Sequence, residues 1–159
     1  MNKNYITPTG YDILYKQLED LRKNKRNEII QVIAESQKNG GDLSENSEYL
    51  QAMAERDRIE NKIQEISNFI ENTEIVDILK FPLDNKVRFG ATVTFMDVDS
   101  EQVSTYKLVG ETEADIKQGT ISYKSPIGKA LILRKLGDEV DLETPSGEKT
   151  LEILKIEHK

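Results

Sequence analysis

The chain has no cysteine and no tryptophan, and its one histidine, His158, stands next to the last residue. Without thiols there are neither disulfides nor thiolate metal sites. A solitary histidine excludes catalytic triads and histidine metal centres, and we expect a helical tail around it. No apolar run approaches the roughly eighteen residues that a membrane helix needs. Met1 to Gly10 carries one lysine and no apolar signal core, which predicts a cytoplasmic protein. Excess positive charge is also missing: 22 Lys and Arg against 29 Asp and Glu leave a net charge of −7. That argues against a protein that grips nucleic acid by itself, because such binding draws most of its free energy from neutralising phosphates.

What is present is a soluble composition, 32% charged and 36% hydrophobic over 159 residues, enough for one ordinary domain or two small ones. The charge is uneven. Met1 to Gly40 is mildly basic, whereas Gly41 to Asp77 holds ten acidic residues against Arg56, Arg58 and Lys62. Two solvated helix faces pairing with each other would give this pattern, and so would a surface for a partner.

Two regions differ in periodicity. Thr7-Pro8 is a helix start, a capping hydroxyl before proline at the first helical position. Tyr11, Leu14, Leu18 and Leu21 follow at helical steps, with Ile29, Ile30 and Ile33 carrying the stripe onward until Lys38-Asn39-Gly40-Gly41 stops it. A heptad seam then runs through Tyr49, Ala52, Arg56, Ile59, Ile63, Ile66 and Ile70. Two such helices fold back as an antiparallel coiled-coil hairpin, or pair between chains as a dimerising coiled coil. About thirty residues per helix make a rod roughly 45 Å long.

Beyond Asp77, Leu79 to Asp84 reads as a linker around Pro82. Val87, Phe89, Ala91, Val93 and Phe95 alternate on one strand face, Tyr106 to Val109 is a second strand, and Ser125-Pro126 opens a short helix to Ile132. Val140 to Glu143, a turn at Thr144-Pro145-Ser146-Gly147 and Leu151 to Ile156 close a small, mostly antiparallel sheet with one helix on it. The predicted class is α+β: a helical hairpin over 1–78, a linker over 79–84 and a sheet domain over 85–159. Phe81, Phe89, Phe95, Tyr106 and Tyr123 read as strand core.

Asp42, Glu45 and Glu48 crowd the hairpin tip. One explanation is a capping box, Asp42 accepting from the first turn and Glu45 reaching back, both at the positive end of a helix dipole. A calcium loop begins well with Asp42, Ser44 and Asn46. It fails at Ser47, where glycine is needed, and at Met53, where the bidentate glutamate belongs.

The segment Gly41-Asp42-Leu43-Ser44-Glu45-Asn46-Ser47-Glu48-Tyr49 resembles the tip signature of the Gre family of transcript-cleavage factors, closest to its GreA branch. Further matches run along the chain: Ile6-Thr7-Pro8-Thr9-Gly10, Glu28-Ile29-Ile30, Ile33-Ala34-Glu35, Phe89-Gly90-Ala91-Thr92-Val93, Val109-Gly110, Glu113-Ala114-Asp115, Ser125-Pro126-Ile127 and Thr144-Pro145-Ser146-Gly147. The resemblance implies an N-terminal antiparallel coiled coil and a C-terminal FKBP-like domain. The latter would dock at the rim of the secondary channel of bacterial RNA polymerase. The coiled coil would then bring its tip to the catalytic centre, stimulating hydrolysis of the extruded RNA 3′ end, with the polymerase as the enzyme. A Gre-like channel inhibitor without cleavage activity is the competing reading, and a prolyl isomerase the third.

By the same resemblance, Asp42 and Glu45 are the catalytic pair and share Mg2+ with the polymerase, no cofactor being held by the chain alone. Two-metal hydrolysis needs ions about 3.5 to 4 Å apart, and magnesium keeps several waters with few carboxylates, so two carboxylates delivered on a rod would raise a weak ion's occupancy. Asn46, Glu48 and Tyr49 support the tip, Lys38 and Arg56 are candidates for RNA contact, and Glu113, Asp115, Ser125, Pro126 and Ile127 for polymerase binding. A monomer is expected. Departures from the family pattern are the long Gly40-Gly41 turn, Gln37 and Met53 at usually basic positions, and Gly128 for alanine, which is expected to matter little.

Overall fold

The computed structural model describes residues 3–38 and 41–159. Two compact units divide the chain, Asp12–Thr73 and a second made of Met1–Tyr11 with Glu74–Lys159. This division differs from the one expected at 79–84. Strand β1 (Asn4–Ile6) pairs with β2 (Thr73–Ile75), and the Val76 N–H donates to the Ile6 carbonyl at 2.9 Å. The start of the chain therefore returns to the sheet unit. Leu79 and Lys80, read as linker, lie in a 3-10 turn (Ile78–Lys80) capped by Asp77 and anchored by buried Ile78.

The first helix begins where the sequence placed it. The Thr7 hydroxyl accepts from the Gly10 N–H at 3.1 Å, and Pro8, at the first helical position, has no N–H to leave unsatisfied. Helix α1 (Pro8–Asp20) continues through a π-helical turn (Leu21–Lys25) into α2 (Arg26–Gln37), while α3 (Ser47–Glu71) is uninterrupted. The π turn explains one misread residue. After Leu21 an ordinary helix returns its stripe roughly seven residues on, at Glu28. One wider turn, closed by Arg26 N–H to the Leu21 carbonyl, absorbs a residue and brings Ile29 round instead. Ile29 packs on the core, and Ile30, expected on the stripe, is half exposed to solvent.

The helices run antiparallel within one chain. Arg22 reaches Ser67, Arg26 reaches Glu60 and Ser36 meets Asn46, so partner numbers fall as the first rises. Leu18, Ile59, Ile63 and Ile66 are buried between them, with Leu14, Leu21, Ile29 and Ile70 alongside. Burial of each contributes roughly 1.5 to 3 kcal/mol. The Arg26–Glu60 pair, bidentate at 2.7 and 2.9 Å but part exposed, contributes below about 1 kcal/mol and mainly fixes register. Its hydrogen bonds hold the Glu60 carboxyl below the usual range, so the pair favours the hairpin at neutral pH and fades on acidification through that lowered value.

The sheet unit has strand order β5-β4-β3-β7-β6, with β3 (Thr92–Asp97), β4 (Val103–Val109), β5 (Thr120–Ser122), β6 (Glu139–Thr144) and β7 (Gly147–Glu157). All neighbours are antiparallel except β4 and β5. Val87, Phe89, Ala91, Val93 and Phe95 are all buried, as their alternation predicts, although the paired strand starts only at Thr92. Phe81 departs from the predicted strand core: it is part exposed, with the Arg88 guanidinium 5.2 Å over its ring. Tyr123 forms a cluster with Tyr5 and Phe89 at centroid distances of 5.6 and 5.3 Å. His158 follows the last strand rather than sitting in a helical tail.

Helix α4 (Pro126–Leu131) packs on this sheet through Leu131, Ile127 and Ala130. Here the glycine expected to be neutral is not. A Cβ on Gly128 would stand 2.3 Å from the Ser122 carbonyl oxygen and 2.9 Å from the Tyr123 Cα, both backbone. Gly128→Ala is therefore expected to destabilise the sheet unit by about 1 to 3 kcal/mol, read as a lower midpoint of urea unfolding followed at Tyr123.

Candidate functional site

The loop between α2 and α3 is organised by Asn46. Its side-chain oxygen accepts from the Tyr49 N–H at 3.1 Å, capping α3, while its amide nitrogen donates to the Ser36 carbonyl at 2.9 Å near the end of α2. Ser36 is buried, and its hydroxyl turns back to the Ile33 carbonyl at 2.7 Å. One side chain thus satisfies an orphan donor of one helix and an orphan acceptor of the other. Gly41 enters the loop at φ +84°, the left-handed region that glycine reaches without penalty. The Gly40 part of the predicted turn, with Asn39, lies outside the described residues.

Between Gly41 and Asn46 the chain makes a single 3-10 turn (Leu43–Glu45). Asp42 caps it: Oδ1 accepts from the Ser44 N–H at 3.0 Å and from the Ser44 hydroxyl at 2.8 Å. Those two bonds lower the carboxyl's pKa and keep it ionised. Glu45 does not complete a capping box, because its carboxylate makes no hydrogen bond or ion pair among the described residues; its backbone N–H alone returns, to the Asp42 carbonyl at 3.1 Å. Asp42 and Glu45 are both exposed, and so is Leu43 between them.

Glu48 is exposed in the first turn of α3, where a carboxylate faces the positive helix end. Tyr49 is half buried in the first turn of α3. Ser47 to Met53 are helical, which removes the calcium-loop alternative, and no cluster of three metal-ligating side chains exists among the described residues. Exposed Lys38 caps α2, but Arg56 lies ten residues beyond Asn46, about 15 Å along α3, against Asp57 at 3.5 Å. Lys38 and Arg56 are not brought together. Gln37 is exposed and Met53 half buried.

The second set of candidates is gathered by a feature that sequence reading missed. Strand β5 pairs parallel to β4, Val109 opposite Ser122, so the chain leaves both strands at the same end of the sheet. Loops 110–115 and 123–125 therefore emerge side by side, linked by Lys124 and Glu111 at 3.5 Å. A three-residue strand gives too short an alternation to detect.

Within this set, Glu113 serves the fold. Its carboxylate accepts from the Thr7 N–H at 3.0 Å, the Gly110 N–H at 2.9 Å and the Thr7 hydroxyl. Asp115 caps a 3-10 turn (Ile116–Gln118). Ser125 caps α4, accepting from Gly128 at 3.1 Å and donating to the Ser122 carbonyl at 2.6 Å. Ile127 is half buried on the sheet core, and Pro126 is exposed.

Asn46→Ala should remove both the cap and the tie. We expect a loss of about 1 to 2 kcal/mol in hairpin stability, checked by thermal unfolding followed through helical circular dichroism.

Residues 4–75 match the family model described as transcription elongation factor, N-terminal, and residues 82–158 the model described as transcription elongation factor, GreA/GreB, C-terminal. The chain is 44% identical over 154 residues to transcription elongation factor GreA of Francisella tularensis subsp. novicida, covering 97% of this chain and 96% of that one. The same figures hold for GreA of Francisella tularensis subsp. tularensis strain SCHU S4. Among solved structures it resembles GreA factor homolog 1 (Gfh1) of Thermus thermophilus, with 26% identity, a TM-score of 0.43, and coverage of 98% of this chain and 99% of that one. The two family models together span most of both units, and the chain belongs to the GreA/GreB family of transcription elongation factors.

Proposed function

We propose that the protein enters the secondary channel of bacterial RNA polymerase and stimulates Mg2+-dependent cleavage of a backtracked RNA 3′ end, rescuing arrested complexes in the cytoplasm. The observation that carries this reading is the exposed pair Asp42 and Glu45 on the loop that closes the hairpin. Asp42 Oδ2 and the whole Glu45 carboxylate have no protein partner among the described residues. Two hard oxygen donors, too few to retain a cation alone, suit an ion shared with another protein. When bound, that ion would supply activation of water and stabilisation of the leaving oxygen.

The chain's own contribution is delivery and orientation. The buried seam supports the loop, Asn46 ties its two ends, and Asp42 and Glu45 present their oxygens. The polymerase supplies the catalytic framework, so the protein is an activator rather than the enzyme, acting as a monomer. Lys38 is the candidate for contact with the transcript.

The sheet unit, FKBP-like in this reading, is the polymerase-docking element. Its surface consists of Asp115, Ser125 and Pro126 on the adjacent loops. Glu113 and Ile127 act beneath that surface, so replacing either one tests folding as much as docking. Pro126 is exposed at the first position of α4, where an acidic residue is well tolerated. Pro126→Glu is expected to raise the concentration needed for half-maximal polymerase binding at least fivefold, with unchanged thermal unfolding. Wild-type competition by this variant would remove the surface from the proposal.

Asp42→Asn keeps a capping acceptor, and Glu45→Gln keeps the shape. The double variant should bind polymerase and block the wild-type factor, yet release less than about one hundredth of the RNA fragment from a stalled, backtracked complex. Near-normal cleavage at saturating concentration would sink the assignment of the pair. No cleavage by the wild-type protein would favour the channel-inhibitor reading.

A further inference from the structure

The two tip carboxylates are not held alike. Asp42 Oδ1 receives both donors of a single residue, the N–H and hydroxyl of Ser44, at 3.0 and 2.8 Å. Glu45, one position further on, receives none among the described residues. The Ser44 backbone donor is available with any side chain, and it fixes only one approach to Oδ1. The hydroxyl adds a second approach from the side-chain direction, and two donors on one oxygen define the rotation of a carboxylate that one donor leaves free. The consequence is an Asp42 whose Oδ1 is occupied by Ser44 and whose Oδ2 has no partner among the described residues.

Building on the proposed cleavage role, we propose that the Ser44 hydroxyl is a positioning residue that locks the Asp42 carboxylate so that Oδ2 is presented to the shared cation, while Glu45 remains free to adapt. Ser44 itself touches neither RNA nor the ion in this assignment. Its contribution is to remove rotational freedom from Asp42 before the tip engages, so less ordering is left for the moment of binding. The division of labour follows from the geometry: a fixed ligand sets the ion's place, and an unrestrained one can follow the water or the leaving oxygen.

The test uses the full-length protein with Ser44→Ala and Ser44→Thr, the second restoring a hydroxyl. In the free protein without metal, three-bond couplings across the Asp42 Cα–Cβ bond should report one rotamer for wild type, averaged rotamers for Ser44→Ala, and one again for Ser44→Thr. With a backtracked elongation complex at saturating factor, Ser44→Ala should need roughly fivefold more Mg2+ for half-maximal cleavage, with unchanged polymerase binding and recovery in Ser44→Thr. A purely structural serine would leave the Mg2+ requirement where it was and lower stability instead. An Asp42 that stays in one rotamer in Ser44→Ala, or a Mg2+ requirement equal to wild type, overturns the inference. The cleavage reading fails separately, when the wild-type factor or the Asp42→Asn, Glu45→Gln variant behaves contrary to expectation.

Discussion

The narrow apolar stripe is the constraint from which the rest of the hairpin follows. Neither helix can bury Leu18, Ile59, Ile63 and Ile66 by itself, and each stripe is too slender to face a broad core. Pairing along the whole length is what covers them, and that pairing puts the connecting loop at one end with solvent on most sides. Polar groups at that end then have to be satisfied by the loop's own few residues. Asn46 does this for both helices and Asp42 Oδ1 caps the turn between them, which leaves Asp42 Oδ2 and the Glu45 carboxylate without a structural role among the described residues. Exposure of the acidic pair is thus a consequence of how the seam is buried.

The sheet unit solves a different problem with similar economy. Its first residues are remote in sequence from β2, with which β1 pairs, and Glu113 binds them back by accepting from Thr7 and Gly110. A carboxylate with several charge-assisted bonds is a strong tether. The same loop sits beside the start of α4 because β5 lies parallel to β4, so the exposed Asp115 and Pro126 and the Glu113 and Ser125 that hold the unit together are interleaved residue by residue.

Long, periodic features were legible in the sequence. The seam of α3, the Thr7-Pro8 start, the Ser125-Pro126 start and the alternation from Val87 to Phe95 depend on patterns of nine residues or more, or on caps with a local mechanism. Three-residue strands such as β1, β2 and β5 carry no such pattern, and their pairing is decided by distant partners. The π turn was invisible because it changes the helical period for one turn only, and Ile30 was misplaced as a result. At the tip, the acidic residues were readable and their inequality was not. Spacing suggested a reciprocal box between Asp42 and Glu45, whereas the Asp42 carboxylate instead binds Ser44, one of the two residues between them. Gly128 was misjudged for the same reason, since its necessity lies in the Ser122 carbonyl, six residues away.

The π turn at Leu21–Lys25 has a bearing on how such a rod can change over evolutionary time. A helix that pairs along a seam tolerates no net change of one residue, because everything beyond it swings by about 100° off the partner. A wide turn stores one residue as local slack. Loss of that residue could be absorbed by tightening to ordinary helix, and the seam on either side would stay in phase. The first helix therefore has a place where its length can be edited singly, while α3, unbroken from Ser47 to Glu71, has no such slack and keeps its seam in phase only through changes of about three, four or seven residues.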